Sequence, residues 1–142
     1  NPGAPFAPLG KIASGGELSR FILALKVALA EEGGAATIIF DEIDRGVGGA
    51  VASAIGERLA RLANGTNGLA GKQLLAVTHS PQVAAKGQAH YYIAKSSEGT
   101  VTRTGVTWLD AEGRRQEIAR MLSGAEVTGE ARAQASRLME GV

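Results

Sequence analysis

The sequence predicts an α/β domain with mostly parallel, buried strands, a marginal β-hairpin and flanking helices. Three observations carry that reading. Two short, continuous apolar runs, Thr37 to Asp41 and Gln73 to Thr78, have the length and character of strands covered on both faces. Between them Val51, Ile55, Leu59 and Leu62 recur at helical spacing. Each run ends at residues able to do chemistry, Asp41-Glu42 and His79, and ligands of open α/β sheets gather beyond the carboxyl ends of strands.

The elements follow in order. Asn1 to Pro8 holds three of the four prolines and reads as an extended lead-in. Ser14 and Glu17 match the S-x-x-E capping box, and Leu18, Phe21, Ile22, Leu25 and Leu29 then share a helical face until Gly33-Gly34 stops the helix. Gly46, Gly48 and Gly49 read as a turn before the second helix, which ends at the loop from Asn64 to Gly71. After His79, Ser80-Pro81 supplies an N-cap and a proline at the first helical position for a short helix through about Lys86. His90 to Lys95 and Thr100 to Trp108, joined by Ser96-Ser97-Glu98-Gly99, form the hairpin at the sheet margin. Helices over Ala111 to Leu122 and Thr128 to Glu140 close the chain, with Ile118, Met121, Leu122, Ala131, Ala135 and Leu138 as packing faces.

Composition narrows the function classes. A length of 142 residues suits one domain with a real core. Fifteen Lys plus Arg against fourteen Asp plus Glu give no global field favouring nucleic acid or membrane. Lys86, Lys95 and Arg103 lie near the hairpin as a modest basic surface, without the spacing of a DNA-reading motif. Without cysteine there is no disulfide or thiol chemistry, and two histidines make no zinc-type cluster. Neither a signal peptide nor a membrane-spanning apolar run is present, so a cytoplasmic location with no membrane partner is expected. A start at Asn1 rather than Met leads us to expect a fragment of a longer polypeptide.

The stretch Ser14-Gly15-Gly16-Glu17 combines a hydroxyl, two glycines that let backbone N–H groups come close, and a helix N-terminus. Such an arrangement receives anions, a phosphate above all, although a plain capped helix would share most of these residues. The P-loop motif G-x-x-x-x-G-K-[ST] occurs nowhere in the chain. Adjacent acids at a strand end, such as Asp41 and Glu42, can divide labour in phosphoryl transfer: one holds magnesium, directly or through a water, and the next polarises the attacking water. Solvated acids also end strands for no chemical reason. His79, at the same sheet edge, can donate to a phosphate oxygen and position water, or can simply bond to backbone. A hydrolase triad of Ser80, His79 and Asp41 is disfavoured by the lack of a G-x-S-x-G elbow.

Taken in order, Ser14-Gly15-Gly16-Glu17, Ile38-Ile39-Phe40-Asp41-Glu42 and Val77-Thr78-His79 resemble the signature loop, Walker B strand and switch histidine of ABC-type ATPases. The finer text is similar to the RecN family of bacterial SMC-like DNA double-strand-break repair ATPases. It runs through Asn1-Pro2-Gly3, Ala13 to Arg20, Asp41 to Gly49 and Thr78 to Ala84. The resemblance covers almost the whole chain and implies a P-loop NTPase fold, with residues 1–142 as the C-terminal lobe of an ATPase head. The P-loop lobe and a coiled coil would then lie elsewhere in the polypeptide.

By the same resemblance, Asp41 supports Mg²⁺, Glu42 is the catalytic carboxylate and His79 senses the γ-phosphate. Ser14, Gly15, Gly16 and Glu17 contact the γ-phosphate of ATP held by a partner head. The implied cofactors are ATP and Mg²⁺. The implied partners are the N-terminal P-loop lobe, a second head in a homodimer, and double-stranded DNA ends; the chain alone is expected to be inactive. Departures favour this branch over a transporter: Ala13 replaces the signature leucine, Glu17 its glutamine, Ile43-Asp44 the usual Pro-Thr, and Gly48 the aspartate of a transporter-type D-loop. A transporter nucleotide-binding domain, another SMC-type head and a non-catalytic interaction domain remain as alternatives. A sheet that meets a second lobe should also leave apolar surface uncovered, so this chain is expected to associate or be poorly soluble alone.

Overall fold

A computed structural model describes residues 24, 28, 35–41, 43, 44, 46–65, 71–98 and 101–141. The predicted lead-in, the capping box and signature stretch Ser14 to Glu17, Glu42 and Arg45 lie outside the described residues. Ala24 and Ala28 are helical, as the periodicity of that segment predicts.

Strand β1 (Thr37–Phe40) pairs in parallel with β2 (Gln73–Ala76), in the register Thr37↔Gln73, Ile38↔Leu74, Ile39↔Leu75 and Phe40↔Ala76. Parallel neighbours need a long crossover, and helix α1 (Gly49–Asn64) supplies it. The turn ahead of α1 uses Gly46 at φ 73° and Gly49 at φ 55°, left-handed values that side chains with a Cβ resist. On the α1 face, Phe40, Ala52, Ile55, Leu59, Leu62 and Val83 form a buried cluster, with Ile38 and Leu74 packed against it. Each large side chain fully buried there contributes roughly 1.5–3 kcal/mol.

Helix α2 (Pro81–Ala85) begins as Ser80-Pro81 predicts, with the Ser80 hydroxyl accepting the Val83 N–H at 3.5 Å. It joins two cores: Val83 belongs to the first, Ala85 to a second built with Ile118, Ala119, Ala131 and Ala135. The second cluster lies between α3 (Ala111–Ser123) and α4 (Gly129–Glu140), whose N-caps Asp110 and Thr128 accept the N–H groups of Gly113 and Ala131. Close approach of α1 to α2 requires Gly56, where a Cβ would meet the Gln82 carbonyl oxygen at 3.0 Å and Val83 Cα at 3.3 Å.

Strands β3 (His90–Glu98) and β4 (Val101–Leu109) form the expected antiparallel hairpin, longer than predicted because Ser96, Ser97 and Glu98 continue the ladder. Among the described residues it is a separate two-stranded sheet, so its predicted place at the margin of the parallel sheet is corrected. Strands β1 and β2 are likewise not buried on both faces: away from α1, Ile39 is 67% and Leu75 44% exposed. An apolar run reports that a strand tolerates burial, and says nothing about which face is covered. Ile55, Leu59 and Leu62 are buried as predicted; Val51, at the margin of that face in the first turn, is exposed, and Ala52 is buried in its place. The pairing of Lys95 with Thr104 and Arg103 with Ser96 sets Lys95 and Arg103 on opposite hairpin faces, which removes the expected shared basic surface.

Candidate functional site

The parallel register brings the two chemical strand ends together. Val77 N–H donates to the Phe40 carbonyl at 2.8 Å, so the residues after β1 and after β2 leave the ladder side by side. Asp41 follows Phe40 directly and is exposed at this carboxyl edge. His79 leaves the same edge from β2, with 71% of its side chain exposed. Thus Asp41 and His79 share one sheet edge, as their positions in the sequence predict. Glu42 and Ser14 to Glu17 lie outside the described residues.

A third residue completes this edge. Asp44, in the turn after β1, is fully buried, and its Oδ2 accepts the Thr78 hydroxyl at 2.7 Å. Thr78 Oγ1 in turn accepts the Ser80 N–H at 3.0 Å. The Asp44 Oδ2 also lies 3.7 Å from Nδ1 of His79, while its Oδ1 is buried with no hydrogen-bond partner among the described residues. A buried acceptor left unpaired costs about 1–3 kcal/mol, so such a group is rare without a reason. Sequence reading passed over Asp44 except as a departure from a Pro-Thr pair. Its only signal was an acid three residues beyond a strand-ending acid.

Ser80 is no nucleophile in this arrangement. It is buried, donates to Gln82 Oε1 at 2.8 Å and caps α2, and so the disfavoured triad reading finds no support. Among the described residues no group of three or more His, Asp or Glu side chains could cage a metal. One exposed carboxylate, Asp41, suits a different kind of site. Magnesium keeps several waters and takes one or two carboxylates plus substrate phosphate oxygens, so Asp41 fits a role as its protein ligand. No helix among the described residues is long and apolar enough to cross a membrane.

The fold is similar to that of a solved SMC ATPase structure. A solved structure from work on the structural biochemistry of ATP-driven dimerization and DNA-stimulated activation of SMC ATPases matches 87% of this chain and 70% of its own. The TM-score is 0.60 at 19% identity. In sequence the chain is similar to DNA repair protein RecN over nearly its whole length. It is 46% identical over 140 residues to RecN of Xylella fastidiosa (strain Temecula1), covering 99% of this chain and 24% of that protein. Identity is 48% over 140 residues to RecN of Streptomyces coelicolor, covering 99% and 23%, and 41% over 139 residues to that of Vibrio cholerae, covering 98% and 24%. The chain spans about a quarter of the length of these curated relatives. No protein-family model matches it.

Proposed function

We propose that this chain is the C-terminal lobe of a RecN-like ATPase head acting in recombinational repair of DNA double-strand breaks in the bacterial cytoplasm. The observation that carries the reading is the shared edge of β1 and β2, where Asp41 and His79 emerge from adjacent parallel strands. Sequence similarity to RecN over nearly the whole chain supports the repair context.

In this reading Glu42 orients and polarises the attacking water, and His79 contacts the γ-phosphate from the neighbouring strand end. Asp41 is the residue that holds Mg²⁺, which when bound neutralises charge on the phosphate oxygens. Ser14, Gly15, Gly16 and Glu17 approach the γ-phosphate of ATP carried by a second head, placing amides and a helix N-terminus against its charge. ATP then joins two heads, and its hydrolysis lets them part. The P-loop comes from another segment of the polypeptide.

The test is to join this chain to a P-loop lobe and measure ATP hydrolysis with and without linear double-stranded DNA. Turnover only in the joined protein, stimulated by DNA, is expected. Hydrolysis by the chain alone would refute the divided site.

A further inference from the structure

We propose that Asp44 is the positioning residue for His79, its buried carboxylate taking the Nδ1–H of the imidazole so that Nε2 is presented outward. This rests on the reading of His79 given under the proposed function.

The hydrogen-bond pattern fixes the direction of each proton. Thr78 Oγ1 accepts the Ser80 N–H at 3.0 Å, so its own proton goes to Asp44 Oδ2 at 2.7 Å. Oδ2 is therefore an acceptor, and a carboxylate oxygen has a second lone pair to offer. Nδ1 of His79 stands 3.7 Å from Oδ2, outside hydrogen-bond length, and takes up that lone pair when the two groups close together. Catalytic hydrogen bonds are commonly loose before the substrate binds. A histidine nitrogen facing a carboxylate is the protonated one, and its partner on the far side of the ring is thereby assigned. In the neutral ring Nε2 is then a bare acceptor, so it meets a γ-phosphate oxygen through a bridging water that donates one O–H to Nε2 and the other to the phosphate.

A carboxylate that only tied the loop after β1 to the loop after β2 would be expected to engage both oxygens with nearby donors. Here, among the described residues, Oδ1 has no partner and Oδ2 faces the His79 imidazole. Full burial of Asp44 against 71% exposure of the His79 side chain matches a fixed support beneath a working group.

The experiment uses the complete polypeptide carrying this chain, labelled with ¹⁵N in histidine rings. The His79 signals are identified by their loss in His79→Gln. In the unmodified protein His79 is expected to show a protonated Nδ1 and a bare Nε2. In Asp44→Ala the Nε2–H form should gain at least several-fold. Asp44→Asn keeps the shape and the Thr78 bond and guards against misfolding; its uncharged amide oxygen is a weaker acceptor for Nδ1–H, so the signals should move the same way by a smaller amount. ATP turnover in both variants should fall by about 10-fold or more, with KM for ATP within two-fold. Ring signals unchanged in both variants overturn the proposal. If turnover ignores His79→Gln while the ring signals follow Asp44, the hydrolytic role of His79 fails and the pairing stands.

Discussion

Thr78 and Asp44, 34 residues apart, meet in a 2.7 Å hydrogen bond that ties the end of β2 to the turn after β1. The bond joins two loops that would otherwise leave the parallel ladder independently, each carrying one of the residues placed at the site. Its acceptor is fully buried, so the bond has an energetic as well as a geometric role.

Thr78→Val removes the hydroxyl that donates to the Asp44 carboxylate and keeps the shape of the side chain. The expected loss of stability is about 1–3 kcal/mol, the penalty for stranding a buried acceptor. Thr78→Ser should lose less than half as much. Urea unfolding followed by circular dichroism measures both, and equal stabilities for Val and Thr would refute the role given to this bond.

Gly56→Ala is expected to destabilise the chain by about 1 kcal/mol or more, although alanine is the better helix former by a similar amount. The added Cβ meets α2 backbone at Gln82 and Val83, and α2 is held by both cores and has little room to retreat. A melting temperature raised by the substitution would contradict this packing.

Stability should decline in mild acid because of His90. Burial foremost, and then the Arg114 guanidinium, lower its pKa from 6.5, while Glu117 partly opposes them. Its buried Nδ1 also lacks a hydrogen-bond partner. Since the folded value lies below the unfolded one, the unfolded chain binds the extra proton first. Stability is therefore complete above about pH 6.5 and falls as pH drops from there towards the lowered folded pKa. Below that value this residue adds no further loss. Denaturant midpoints measured across this window should flatten in His90→Gln.

The hairpin carries a bare apolar face. Tyr91 pairs with Trp108 and Ile93 with Val106, and all four are more than half exposed. With Ile39, Leu75 and Val77 open on the parallel sheet, the isolated chain should self-associate. Sedimentation velocity is expected to show concentration-dependent assembly, reduced in Ile93→Lys. A single monomeric boundary at high concentration would contradict it.

The legible parts of this protein were those fixed by local chemistry. Ser80-Pro81 announces the start of α2, Asp110 and Thr128 lie where the last helices begin, and the two apolar runs locate β1 and β2. Burial was less legible, because Ile39 and Phe40 look equally apolar while only one of them meets α1. The same limit left Val51 exposed and Ala52 buried at the start of α1, while Ile55, Leu59 and Leu62 pack inward as read. At the site, Asp41 and His79 were readable as strand-ending residues. Asp44 was not, since its burial depends on Thr78, whose arrival beside it is a consequence of parallel pairing rather than of any spacing along the chain.

The central claim is that the edge formed by β1 and β2 hydrolyses ATP once a P-loop lobe and a second head complete it. The most direct measurement is steady-state ATP hydrolysis by the completed protein and its Glu42→Gln variant, with ATP-driven association followed in parallel. Turnover should fall by about 100-fold or more, the scale of a lost acid–base group, while association persists. Equal rates for the two proteins would contradict the account.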